Sequence, residues 1–370
     1  MKRHLLAFIG MLTIVPASSA ADGRPAPGAG GGAATRPVLV FSVDQGFGNG
    51  IVVHDDQVAL TRIVRALEPL RQRFDVRVIV NPMVRDRARL LRTLDTLAAR
   101  GMPFTLEAWS SDAQTLASCS EQNNPFDPHH GLTVSTEGLG ALKRRYGRMF
   151  AGIRFAEVFA QDFTVRAVRT TNPEWGLPCW KLPADSFFRP DIARRLLGFA
   201  CANGLHVQWS DWHWYTFHTW DETQRGHEEE LRALLREFPG LVTVTYANNE
   251  PQEESAPRRD HWEKAVKGFV NDGAAGFGLS CQSWLRLVET DTDPEELAGW
   301  AVEALKRGAS LVQFEPVWYF FHLPRGTFGV ERYTHLPEWA ARGRPRESFR
   351  VLERALLDWA DGRVREGAKR

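Results

Sequence analysis

The chain has 370 residues, of which 43% are hydrophobic and 25% charged, with a formal net charge of +1. That is ample material for a large core, and one eight-unit barrel with insertions would use nearly all of it as a single domain. Near-neutrality without a basic stripe gives no electrostatic ground for a nucleic-acid or anionic-membrane partner, and no charge run suggests a protein partner.

In chain order, Lys2, Arg3 and His4 precede the apolar stretch LLAFIGMLTIV, and Ser18, Ser19 and Ala20 supply small residues at a cleavage point. This is the layout of a secretory signal over residues 1–20. The stretch is shorter than the roughly 20 apolar residues of a comfortable membrane span. A secreted or periplasmic protein is expected, without a lipid anchor, since no cysteine follows the signal. Residues 21–36 (ADGRPAPGAGGGAATR) have little to bury and read as a flexible linker. The folded part is expected over 37–365.

Eight short apolar runs follow, most with a polar or aromatic tip: VLVFSVD, VRVIVN, FTLEAW, IRFAEVF, LHVQWSDW, VTVTYANNE, GFGLSCQSW and SLVQFEPVW. Helix-like stretches such as DRARLLRTLDTLAARG, PDIARRLLGFACANG, HEEELRALLREFPG and PEELAGWAVEALKRG separate them. Gly101, Gly152, Gly204, Gly240, Gly276 and Gly308 stand between helix and strand, where a helix end needs a left-handed residue. Runs rich in Val, Phe and Leu suit parallel strands apolar on both faces. The pattern predicts an α/β protein, a single-domain (β/α)8 TIM barrel. Strands are expected over about 38–43, 76–80, 103–109, 153–159, 205–210, 241–247, 277–283 and 310–317. Long loops follow strands three and four. An open doubly wound sheet would need a glycine-rich phosphate loop, and GFGNG after the first run has neither the dinucleotide nor the Walker spacing. No cofactor is expected.

Of four cysteines, Cys119 and Cys179 fall in neighbouring loops where they could bridge or stay free, whereas Cys201 and Cys281 read as buried free thiols. None has metal-ligand spacing.

In such a barrel the C-terminal strand ends build the active site. Among 13 tryptophans, Trp109, Trp209, Trp212, Trp214, Trp284 and Trp318 fall at or just beyond strand ends. An indole suits the C–H face of a sugar ring, though a tryptophan at a strand end can also cap the core. Acids in the same layer are Asp44, Glu107, Glu157, Asp211, Glu250 and Glu315. Buried carboxylates are costly unless paired or used, and glycoside hydrolysis needs two of them in different protonation states. Glu157, with Phe155, Val158 and Phe159 around it in sequence, is the expected general acid. The seventh run has no carboxylate for a retaining nucleophile, so Asp211 and Glu250 are the expected base pair of an inverting reaction, at a separation of about 6.5–9.5 Å. Glu315, also a catalytic candidate, would with Asn248 and Asn249 bind hydroxyls, or else be a salt-bridged strand-end residue. Asp44, Glu107, His213 and the tryptophans complete the expected carbohydrate site.

The acid of strand four and the Asp/Glu pair further on, Glu157 with Asp211 and Glu250, resemble those of glycoside hydrolase family 98. The resemblance spans about residues 37–365 and implies an endo-β-galactosidase activity with catalytic roles at those three positions. Two other readings stand beside it. A metal-dependent carbohydrate deacetylase would draw ligands from Asp44, His54, Asp55, Asp211, His206 and His213, but strand one has no H-x-H, and His54, Asp55 and Asp56 read better as a helix start. No metal is expected on the main reading. A non-catalytic carbohydrate-binding barrel would use the same acids as hydrogen-bond acceptors.

Overall fold

The computed structural model describes residues 36–42, 56–80, 87–109, 136–156, 190–210, 222–248, 267–282, 292–315, 317–323 and 337–367. Eight strands occur: β1 (Val38–Ser42), β2 (Asp75–Val80), β3 (Phe104–Trp109), β4 (Phe150–Ala156), β5 (His206–Ser210), β6 (Val242–Asn248), β7 (Gly276–Gln282) and β8 (Leu311–Glu315). Every neighbouring pair is parallel, and pairing of Val38 with Leu311 through Phe41 with Phe314 joins β1 to β8 and closes the barrel. This is the expected (β/α)8 architecture, with strand bounds within a few residues of the expected ones.

Crossover helices include α1 (Gln57–Ala66), α2 (Glu68–Arg71), α3 (Arg87–Ala99), α4 (Thr136–Tyr146), α5 (Pro190–Ala202), α6 (Glu222–Glu237) and α7 (Pro294–Lys306). A one-turn α8 (Val317–Phe320) follows β8, and α9 (Glu347–Gly367) ends the described chain. Asp56 caps α1, accepting hydrogen bonds from the Val58 and Ala59 amides at 3.0 Å, which satisfies two donors the first turn leaves open. Asp56 therefore starts a helix, while His54 and Asp55 lie outside the described residues. Each crossover helix buries one stripe: Ala59, Leu60, Ile63 and Val64 on α1, and Leu297, Ala298, Ala301, Ala304 and Leu305 on α7. Among the described residues no helix is long and apolar enough to cross a membrane.

Four of the six glycines expected at helix ends, Gly101, Gly204, Gly240 and Gly308, have positive φ. The other two do not. Gly152 and Gly276 lie inside β4 and β7, and the left-handed turns before those strands fall to Gly147 and Gly273. Gly152 is needed for a different reason, since a Cβ there would stand 2.7 Å from the His206 carbonyl oxygen.

Strand residues divide by alternation into two faces. Leu39, Phe41, Val76, Val78, Ile153, Val207, Trp209, Val244, Leu279, Val312 and Phe314 belong to one continuous core between sheet and helices. A separate cluster of Val40, Ile79 and Leu311, with Val38 against it, plugs the barrel interior beside β1, β2 and β8. The rest of the described interior departs from the expected double-sided apolar strands. Ser42, Thr105, Arg154, Gln208, Thr243, Thr245, Ser280, Gln313 and Glu315 are all buried there. Arg154, Gln208, Thr245, Gln313 and Glu315 can be, because an ion pair and hydrogen bonds join them.

Candidate functional site

The interior polar residues form a chain of contacts across the barrel. Arg154 on β4 reaches Glu315 on β8, Nη1 to Oε1 at 3.0 Å. Strands four places apart in a closed ring of eight are opposite one another, so this pair crosses the axis. The Gln313 amide donates to the same Glu315 oxygen, and the Gln208 amide donates to Gln313 Oε1 and to the Thr245 hydroxyl at 3.4 Å. Thr245 in turn donates to the Trp209 carbonyl at 2.9 Å. Glu315 thus accepts from one cation and one amide, the compensation a carboxylate needs when taken from water. As the last residue of β8 it stands at the C-terminal end of the barrel, the end that carries function in this fold.

Deeper on β5, the His206 ring meets the Thr243 hydroxyl at 2.9 Å. Burial, and next the Arg77 guanidinium, push its pKa down to about 3, with Asp75 acting weakly the other way. The ring is neutral and structural. Among the described residues no group of three or more His, Cys, Asp and Glu side chains gathers as a metal site would require.

The C-terminal rim is tied together away from the axis. Arg342, in the segment after β8, forms an ion pair with Asp56, and Arg62 of α1 donates to the Ala340 and Arg342 carbonyls at 3.0 and 2.9 Å. The connection following β8 is thereby fastened to the start of the helix following β1.

Of the expected catalytic residues, Glu315 is placed in the barrel interior and is ion-paired, while Glu157, Asp211 and Glu250 lie outside the described residues. So do Asp44, Trp212, His213, Trp214, Asn249 and Trp284, as well as His54, Asp55, Cys119 and Cys179. The backbone places Glu107 on β3 in register with Arg154, Trp109 at the end of β3 in register with Ala156, and Asn248 at the end of β6 in register with Cys281. Trp318 is half-buried on α8 and packs against the core. Trp209, expected at the sugar-facing rim, is 1% exposed inside the sheet–helix core. The reason is parity: Gln208 faces the axis, so its neighbour faces the helices. Cys281 is buried and free as expected, its thiol pushed up by burial, whereas Cys201 is free but exposed on α5.

Arg154, Gln208, Thr245 and Gln313 escaped the strand-tip reading because they sit inside the runs. Their signal was present in IRF, HVQWS, VTVTY and LVQFE, where a polar residue stands at every second position. That alternation marks a polar interior lined by an apolar exterior.

Fold and interior together define a closed parallel (β/α)8 barrel with a charged, amide-braced centre toward its C-terminal mouth. Compared with protein-family models and with curated protein sequences, the chain matches none. Similar solved structures include the catalytic domain of β-amylase from Paenibacillus polymyxa, at 11% identity and a TM-score of 0.48, covering 88% of this chain and 98% of that one. An endo-1,4-β-xylanase from Caldicellulosiruptor owensensis is 11% identical with a TM-score of 0.44, covering 86% and 96%. D-allulose 3-epimerase from Methylomonas sp. is 13% identical with a TM-score of 0.42, covering 89% and 98%. Likenesses of this size concern the fold alone.

Proposed function

We propose that the chain is an exported glycoside hydrolase that cleaves a glycosidic bond in a poly- or oligosaccharide by an inverting, two-carboxylate mechanism. The observation that supports it most is the order of the barrel. β4, β5 and β6 are consecutive neighbours, and in sequence Glu157 follows Ala156, Asp211 follows Ser210, and Glu250 comes two residues after Asn248, the last residues of those strands. Adjacent strands are about 4.8 Å apart and strands two places apart at most about twice that, a range that brackets the separation of about 6.5–9.5 Å an inverting pair needs.

In this reading Glu157 protonates the departing glycosidic oxygen. Asp211 and Glu250 take the proton of the water that attacks the anomeric carbon from the opposite side. Glu157 has the parity opposite to Arg154, so its role requires the chain to leave strand alternation after Ala156, where β4 ends. Glu315, Asn248, Asn249 and Glu107 bind hydroxyls, and tryptophans of the strand ends supply the apolar face for the ring. The resemblance to glycoside hydrolase family 98 adds a galactose-containing glycan as the first substrate to try. Removal of a signal over 1–20, leaving a linker over 21–36, belongs to the same reading.

Glu157→Gln tests it. Glycan cleavage falls by about 10²- to 10⁴-fold while glycan binding persists, the signature of a lost general acid. Wild-type rates in a folded Glu157→Gln protein would remove Glu157 from the mechanism.

A further inference from the structure

The pair across the axis carries an inference about substrate class that rests on the carbohydrate reading above. Barrels of this fold are usually filled near their axis by Val, Ile and Leu. Here interior positions of β4 and β8 hold instead a guanidinium and a carboxylate, with side chains 6% and 9% exposed. Replacing a buried ion pair by apolar residues of similar volume is often neutral or stabilising, so stability gives no reason for having one. Position gives a reason. Glu315 ends β8 at the functional mouth and keeps a small exposed edge, and the amide of Gln313, itself held by the amide of Gln208, fixes it from below.

We propose that Arg154 and Glu315 form the floor of a subsite for a neutral sugar ring, with Glu315 accepting hydrogen bonds from ring hydroxyls and Arg154 acting as the positioning residue that holds its carboxylate. Charge decides the class of sugar. The Arg154 cation is balanced by Glu315, so the floor offers no uncompensated positive charge to a uronic acid. A second carboxylate brought beside Glu315 would meet a like charge at low dielectric. A ring of hydroxyls brings donors to the carboxylate without that repulsion, and a rigidly held acceptor rejects rings that cannot supply the donor.

The test compares binding, by calorimetry, of neutral oligosaccharides (galactan, xylan, mannan and glucan fragments) and of oligogalacturonate to wild type, Glu315→Gln, Glu315→Asp and Arg154→Lys, each first shown to be folded by circular dichroism. The wild type binds a neutral oligosaccharide better than oligogalacturonate. Glu315→Gln, which removes the carboxylate that Arg154 pairs with at 3.0 Å, binds the neutral ligand about 10- to 100-fold more weakly. Its preference shifts toward oligogalacturonate, which a purely structural pair would not produce. Should Glu315→Gln fail to fold, Glu315→Asp and Arg154→Lys serve instead: both keep the neutral preference and lose affinity for the neutral ligand.

Unchanged affinity and preference in every folded variant would overturn the proposal, as would a wild type that prefers oligogalacturonate. A wild type that binds neutral oligosaccharides as described but cleaves none overturns the hydrolase reading while supporting the subsite. Absence of binding to every ligand overturns both.

Discussion

Arg154 of β4 and Glu315 of β8 come from opposite sides of the barrel and meet across its axis at 3.0 Å. Removing one member leaves the other charge buried without its partner. Arg154→Met or Glu315→Leu should each cost about 3–5 kcal/mol, while the double change Arg154→Met with Glu315→Leu should cost far less than the sum. Urea unfolding of the four proteins measures this. Single changes as mild as surface substitutions would show that the pair does not hold the centre of the barrel.

Gly278 should not tolerate a methyl group. A Cβ there would stand 2.6 Å from the Leu311 carbonyl oxygen and 2.8 Å from Thr245 Cγ2, both of them packed interior atoms. Gly278→Ala should cost about 1–3 kcal/mol through overpacking. Gly299, inside α7 with nothing within 4 Å of its would-be Cβ, is the control. Gly299→Ala should stabilise by up to about 1 kcal/mol, through helix propensity and a less free unfolded chain. Thermal unfolding should therefore move in opposite directions for the two.

His206 should make the protein acid-sensitive in a defined window. Its folded pKa, about 3, lies below the ordinary 6.5, so the unfolded chain takes up a proton that the folded chain refuses. The stability associated with the neutral ring is complete above about pH 6.5 and is lost as pH falls toward 3, with a slope of at most about 1.4 kcal/mol per pH unit. His206→Gln, which keeps a neutral partner for Thr243, should lose that component. Urea unfolding at steps from pH 7 to pH 4 should show the wild-type and variant curves converging. Parallel curves would remove His206 as the source.

Trp209 should act through stability alone. Trp209→Ala should cost about 3–5 kcal/mol by leaving a cavity between sheet and helices. Trp209→Phe should keep wild-type affinity for any oligosaccharide the protein binds. A selective loss of affinity in a stable Trp209→Phe protein would place the indole at the site after all.

The barrel was legible because its signals are local and repeated: apolar runs of strand length, amphipathic stretches between them, and glycines such as Gly101 and Gly308 at helix ends. The facing of individual residues was harder to read, because nearness to a strand end does not say which face a side chain takes. Trp209 and Gln208 are neighbours in one strand, yet one lies in the helix-side core and the other on the axis. Gly152 shows a related limit, since a glycine needed for close strand packing looks in sequence like one needed for a left-handed turn. The partnership of Arg154 with Glu315 joins residues far apart in the chain and follows only from closure of the ring. The alternation of polar residues inside VTVTY and LVQFE pointed to a polar interior, but not to which residues would pair.

The glycoside hydrolase reading is tested most directly by incubating the purified protein with a panel of polysaccharides and galactose-containing glycans and following the first product anomer by proton NMR. Cleavage of at least one neutral glycan is expected, with the inverted anomer appearing before mutarotation and the signal lost in Glu157→Gln. Prompt appearance of the retained anomer would contradict the inverting mechanism, and no cleavage of any glycan would contradict the assignment as a hydrolase.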